Sequence, residues 1–217
     1  MIVVQEAETA MIEVHHLNNS RSQRVLWCLE ELGLDYQIIS HQRDPQTSLA
    51  PDSLKAIHPL GKSPVVRDGG RTYIESGAIL DYLVRRYGNG RLAPREGTPD
   101  HQRYVEWMHF AEGSAMLPVM LKLYTSRLGE AAAPLLPRVH GEIENNFGFL
   151  DSELADHDYF VGDELTAADI QLTFVIQAAK MLYTLEKFPR LAAFLTRVQA
   201  RPAYQRAIQR GGAYAYG

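Results

Sequence analysis

The sequence predicts a small α/β domain with a mixed sheet, followed by an all-helical domain. Three observations carry this. Residues 12–40 read strand–helix–strand, and residues 65–74 read as a hairpin across "DGG". Beyond the Gly/Pro-rich stretch "GNGRLAPREGTP" (88–99), every apolar pattern has helical period.

Taken in order, Met11 to His16 alternates well enough for a short strand. From Ser22 to Leu32 the apolar residues Val25, Leu29 and Leu32 recur at helical spacing, with Glu30 and Glu31 on the other face. Gly33 is the expected C-terminal stop. Tyr36 to Ser40 reads as a second strand, and the intervening helix implies that it runs parallel to the first. His41 to Pro59 is polar and proline-punctuated, with at most a short helix near Ser53–Ile57. Val65–Arg67 and Arg71–Ile74 flank the turn glycines. Ser76 then opens a helix with an Ile79, Leu80, Leu83, Tyr87 stripe. The first ninety residues therefore read βαβ, loop, ββα.

The second half begins with Asp100 to about Arg127, expected as one long helix kinked at Pro118. Leu135, Val139, Ile143, Phe147, Leu150 and Leu154 mark the next helix. Residues 167–182 are apolar nearly all round, as befits a helix buried in the middle of its domain. Pro189 fits a first helical position, and "RP" at 201–202 breaks that helix before a last short one. The expected domains are 11–88 and 100–217, joined by a linker at 89–99. Residues 1–10, ahead of a second methionine at Met11, are expected to be a disordered, dispensable extension or the product of an upstream start codon.

Composition narrows the function. The 217 residues are 46% hydrophobic and 22% charged, as in ordinary soluble globular proteins. A net charge of −4 with no Lys/Arg cluster argues against a nucleic-acid partner. No apolar run approaches a membrane span, and the first ten residues lack the basic start and apolar core of a signal peptide. One cysteine makes no internal disulfide, which points to a reducing cytoplasm. His15 and His16 alternate on a strand without carboxylate or cysteine companions, so no metal site is expected.

Four stretches carry chemistry or unusual backbone. In "LGKSPVV" (60–66) a proline directly precedes an apolar strand, where it cannot donate to a ladder. The plain reading is a strand start. In "ESGAI" (75–79) Ser76 reads as an N-cap, and a helix N-terminus with a small hydroxyl is also an anion site. In "GDELTAADIQL" (162–172) Thr166 and Asp169 have capping-box spacing, a purely structural signal. In "HLNNSRSQRVLWCLEELGLDY" (16–36) small hydrogen-bonding residues crowd the mouth of a helix, while Cys28 lies inside it.

Together and in this order, from residue 12 to about 210, these stretches resemble the cytosolic glutathione S-transferase family, of the serine-type, theta-like or a related bacterial or fungal class. The resemblance implies a thioredoxin-like N-terminal domain, an all-helical C-terminal domain, and glutathione as co-substrate. It implies a cis bond at Pro64, with the Ser63 main chain facing the cysteinyl part of glutathione; the family more often has valine before this proline. Lys62 would meet the glycyl carboxylate, Ser76 the γ-glutamyl carboxylate, and Glu75 the γ-glutamyl ammonium. A free thiol with pKa near 8.5 is only about 3% thiolate at neutral pH, so donors aimed at sulfur are needed. One alignment puts the activating hydroxyl on Ser20; another puts an amide donor on Asn19, with Ser22 behind both.

Cys28 would pack as a small hydrophobe, which disfavours thiol–disulfide exchange through a protein cysteine. Tyr104, Trp107, Phe110 and Tyr124 have the spacing of a helix core. By the family's architecture this long helix borders the electrophile pocket, assigned to Trp107, Phe110 and Ser114. The implied partners are a small hydrophobic electrophile or a hydroperoxide, and a second copy of the chain in a homodimer. The implied activity is thiolate attack on an electrophile. The alternatives are peroxide reduction at the same site, or a binding protein that keeps the fold without the chemistry.

Overall fold

The computed structural model describes residues 11–217; the expectation for residues 1–10 lies outside the described residues. The N-terminal elements are β1 (Ile12–Leu17), α1 (Ser22–Leu32), β2 (Tyr36–His41), the short α2 (Asp52–Lys55), β3 (Val65–Asp68), β4 (Arg71–Ile74) and α3 (Ser76–Tyr87). Strand order is β2-β1-β3-β4, with β1 and β2 parallel and the other pairs antiparallel. The predicted mixed sheet is therefore present.

Local chemistry accounts for its punctuation. Gly33 sits at φ 68°, and Gly33 N–H and Leu34 N–H close α1 onto Glu30 and Leu29 carbonyls. Gly69 and Gly70, at φ 54° and 77°, make the two-residue turn whose handedness suits the β3–β4 hairpin.

The helical part comprises α4 (Pro99–Phe110), a π-helical segment (Ala111–Ala115), α5 (Met116–Thr125), a 3₁₀ turn (Gly129–Ala132), α6 (Leu136–Glu153), α7 (Ala167–Leu182), α8 (Pro189–Gln199) and α9 (Pro202–Gly211). Here the expectation of one helix kinked at Pro118 is corrected. The irregularity precedes the proline: Pro118 has no N–H for the Ser114 carbonyl, and the preceding turn widens to π geometry.

Helix α7 is buried along most of its length and forms the centre of the helical core. Its entry is the expected capping box, in which the Asp169 carboxylate accepts from Thr166 N–H (2.7 Å), Thr166 Oγ1 (2.8 Å) and Phe160 N–H (2.9 Å). Helix α1 packs against α3, α7 and α9, so one continuous core joins sheet and bundle. Ion pairs add to that junction: Arg201 meets Glu31, and Arg206 and Arg210 meet Glu30. Among the described residues no helix is long and apolar enough to cross a membrane, and no group of His, Cys, Asp and Glu is placed to hold a metal.

Candidate functional site

The site forms where α1 begins, beside the β3 entry loop and the mouth of α3. The turn from β1 into α1 places Asn19 in the left-handed region at φ 50°, a conformation asparagine tolerates. Arg43 secures this turn from outside: its N–H donates to Asn18 Oδ1 (2.9 Å), and its guanidinium donates to the Asn18 and Asn19 carbonyls. Asn19 Oδ1 accepts from Ala215 N–H at 2.7 Å. Ser20 is buried, with its Oγ 2.8 Å from Ser22 Oγ and accepting from Ser22 N–H. Ser22 Oγ in turn lies 2.8 Å from His16 Nδ1. Burial holds His16 below its ordinary pKa.

A cavity of about 210 Å³ lies against this turn. Lys62, Ser63 and Pro64 form one wall, Ile74, Glu75 and Ser76 a second, His58 and Leu60 the rim, and Arg21 and Glu112 the side toward the bundle. All five residues expected from the strand and helix motifs therefore converge on it. The Ser63–Pro64 bond is cis. Ser63 Oγ points back to the sheet, donating to the His15 carbonyl (2.9 Å) and accepting from Leu17 N–H (3.2 Å), which leaves its main chain for the cavity wall.

Glu75, not Ser76, is the N-cap of α3, and it holds a left-handed φ of 65°. A non-glycine residue there is strained by an amount the surroundings must offset, and such residues cluster at functional sites. Ser76 is the first helical residue. It is buried, and its Oγ accepts from Arg24 Nη1 at 2.9 Å. The N-cap reading of Ser76 is thus corrected: the chain enters α3 one residue earlier, because the Arg24 bond turns this hydroxyl inward.

Two residues that sequence reasoning passed over organise the site. Glu112, in the π segment, accepts from Arg21 Nε (2.9 Å) and Arg24 Nη1 (2.6 Å). Burial alone would raise the Glu112 carboxyl, but Arg24 and Arg21 overcome it and bring it down to about 2. Burial pushes the Arg24 guanidinium down to about 10, against the pull of Glu112. Both guanidiniums also lie over the Phe174 ring, at 5.6 Å for Arg21 and 5.0 Å for Arg24. An arginine one position from the apolar stripe of α1 was the available signal for Arg24. Nothing local pointed to Glu112.

A second cavity, about 550 Å³, lies between α3 and α4 behind Glu75, Ser76 and Glu112. None of Trp107, Phe110 and Ser114, expected at the electrophile pocket, lines either cavity. Trp107 is core, its Nε1–H donating to the Phe160 carbonyl at 3.0 Å. Phe110 packs edge-on against Trp107 and Phe149, and Ser114 is exposed on the π segment. Trp107 and Phe110 face the helical core and Ser114 faces solvent, so neither cavity reaches them. Cys28 is fully buried, and burial raises its thiol pKa strongly.

Comparison with known proteins gives two family matches. A model described as "Glutathione S-transferase, N-terminal domain" matches residues 14–94, and one described as "Glutathione S-transferase, C-terminal domain" matches residues 107–202. Glutathione S-transferase 3 of Schizosaccharomyces pombe is 38% identical, covering 92% of this chain and 88% of its own. Glutathione S-transferase 1 of Saccharomyces cerevisiae is 30% identical, covering 89% and 92%. A solved glutathione S-transferase from Actinobacillus pleuropneumoniae superposes with a TM-score of 0.88 at 31% identity, covering 95% of each chain.

Proposed function

The chain belongs to the glutathione S-transferase family, and on that premise we propose that the 210 Å³ cavity holds glutathione with its sulfur toward the mouth of α1. The enzyme is a glutathione transferase and glutathione its co-substrate. The observation that carries the placement is the convergence of Lys62, Ser63, Pro64, Glu75 and Ser76, from separate segments, on one cavity beside that turn.

The chemistry of the walls matches the tripeptide. Lys62 takes the glycyl carboxylate, and the Ser63 main chain takes the cysteinyl backbone. Ser76 and the free N–H groups of α3 take the γ-glutamyl carboxylate, and Glu75 takes its ammonium. These anchors direct the thiol at residues 19–22, where Ser20 or Asn19 donates to sulfur and favours the thiolate. The thiolate then attacks a small hydrophobic electrophile. We place that electrophile on the aromatic side of Arg21, where Phe174 meets Tyr216 edge-on at 5.6 Å, and not at Trp107, Phe110 and Ser114. A cytoplasmic location and a homodimer, using the start of α4, complete this reading.

Calorimetry tests it. Glutathione and its S-methyl ether should both bind with micromolar to millimolar affinity. No heat at ten times the upper end of that range refutes the placement. Turnover of haloarenes and isothiocyanates against organic hydroperoxides separates conjugation from peroxide reduction. Binding with no turnover of any of them supports a binding protein instead.

A further inference from the structure

We propose that Arg21 is a catalytic residue, the cation that holds the glutathione sulfur as thiolate, and that Glu112 is the positioning residue that aims it. This rests on the glutathione reading above.

Geometry singles out Arg21. Of the polar turn, it is the residue that lines the glutathione cavity. Ser20 Oγ lies 2.8 Å from Ser22 Oγ, and Asn19 Oδ1 accepts from Ala215 N–H; a neutral donor from Ser20 or the Asn19 amide adds to a guanidinium at the sulfur but does not supply its charge. Arg21 gives only its Nε–H to Glu112, and among the described residues its two terminal nitrogens have no hydrogen-bond partner. Its side chain is 32% exposed, so those donors are accessible from the cavity. A guanidinium tethered at Nε presents its remaining N–H groups in a fixed fork, suited to an anion.

The charges around it leave that role open. Arg24 from α1 and Glu112 from the π segment are paired and offset each other, so the Arg21 charge survives. From the cavity walls Lys62, Glu75 and His58 also face it. Lys62 and Glu75 are assigned to the two ends of glutathione, and His58 lies on the rim. Phe174 underlies both arginines and keeps water from one side. The step balances without a further reagent: the thiol proton leaves to solvent, Arg21 exchanges no proton, and the sulfur lone pair forms the new C–S bond. The electrophile's own pair leaves with halide from a haloarene, or moves to nitrogen and takes a solvent proton in an isothiocyanate.

The experiment uses the full chain with Arg21→Gln and Arg21→Lys. The pKa of bound glutathione is read from ultraviolet thiolate absorbance, and S-methylglutathione affinity, which involves no thiol, is read by calorimetry. Arg21→Gln should raise the bound-thiol pKa by about one to two units and cut turnover at neutral pH about tenfold or more. Turnover should recover at alkaline pH, and S-methylglutathione affinity should stay within about threefold. Arg21→Lys should keep most of the wild-type pKa. An Arg21→Gln protein that binds S-methylglutathione and titrates like wild type overturns the proposal and leaves Arg21 an interdomain ion pair. If Arg21→Gln does not fold, Arg21→Lys decides: a folded, binding variant whose bound thiol titrates like free glutathione overturns it equally. Wild-type protein that binds neither ligand overturns the glutathione reading, and this inference with it.

Discussion

Replacing Glu112 with alanine should destabilise the protein far more than a surface substitution. The carboxylate sits between two guanidiniums, and one of them, Arg24, has a side chain only 1% exposed. Arg24 would keep the Ser76 hydroxyl and the Phe174 face but lose its counter-charge. Breaking a buried ion pair from one side typically costs about 3–5 kcal/mol. Glu112 itself is 35% exposed, which lets water reach the orphaned guanidinium. We therefore expect a loss of about 2–3 kcal/mol, or about 5–10 °C in melting temperature for a chain of this size.

The pH dependence has a definite sign. The folded Glu112 pKa, about 2, lies below its ordinary value of 4.5, so its contribution is full above pH 4.5 and is lost as pH falls toward 2. The gap between wild type and Glu112→Ala, followed by urea melts from pH 7 downward, should close in that window. The double variant Arg24→Met/Glu112→Ala should regain about 1–2 kcal/mol, since it removes the charge left stranded. Stability of Glu112→Ala within about 0.5 kcal/mol of wild type at pH 7 would refute the reasoning. So would a deficit as large at pH 2 as at pH 7.

Ser76→Ala should weaken glutathione binding and also cost about 1.5–3 kcal/mol of stability, because its Oγ is an acceptor for the buried Arg24 and not a mere cap; calorimetry and urea melts separate the two effects. Cys28→Ala should retain activity and lose about 1 kcal/mol, and intact-mass spectrometry of folded wild type in oxidised glutathione should show no adduct on this buried thiol. Thr166→Ala should lose about 1–2 kcal/mol with glutathione affinity unchanged well below melting; altered affinity at native stability would contradict its structural role.

What the sequence determined by itself were the features whose causes lie within a few residues. The helix from Ser22 to Leu32, its stop at Gly33, the "DGG" hairpin and the Thr166–Asp169 box follow from spacing, turn chemistry and capping, and all are present. The interior position of Cys28 was legible for the same reason. So was the convergence of Lys62, Ser63, Pro64, Glu75 and Ser76, but only through family resemblance, since nothing local says that these two segments meet.

Tertiary structure decided where side chains point. Ser76 turned from an expected cap into an acceptor for Arg24, 52 residues away. The Ser20 hydroxyl turned toward Ser22. Trp107 went into the core, its indole satisfied by a carbonyl 53 residues on. Glu112, in the π segment ahead of Pro118, reached Arg21 across 91 residues. A buried charge or indole N–H must find a partner wherever packing supplies one. That partner is chosen by the assembled core and leaves no trace in the local pattern of the chain.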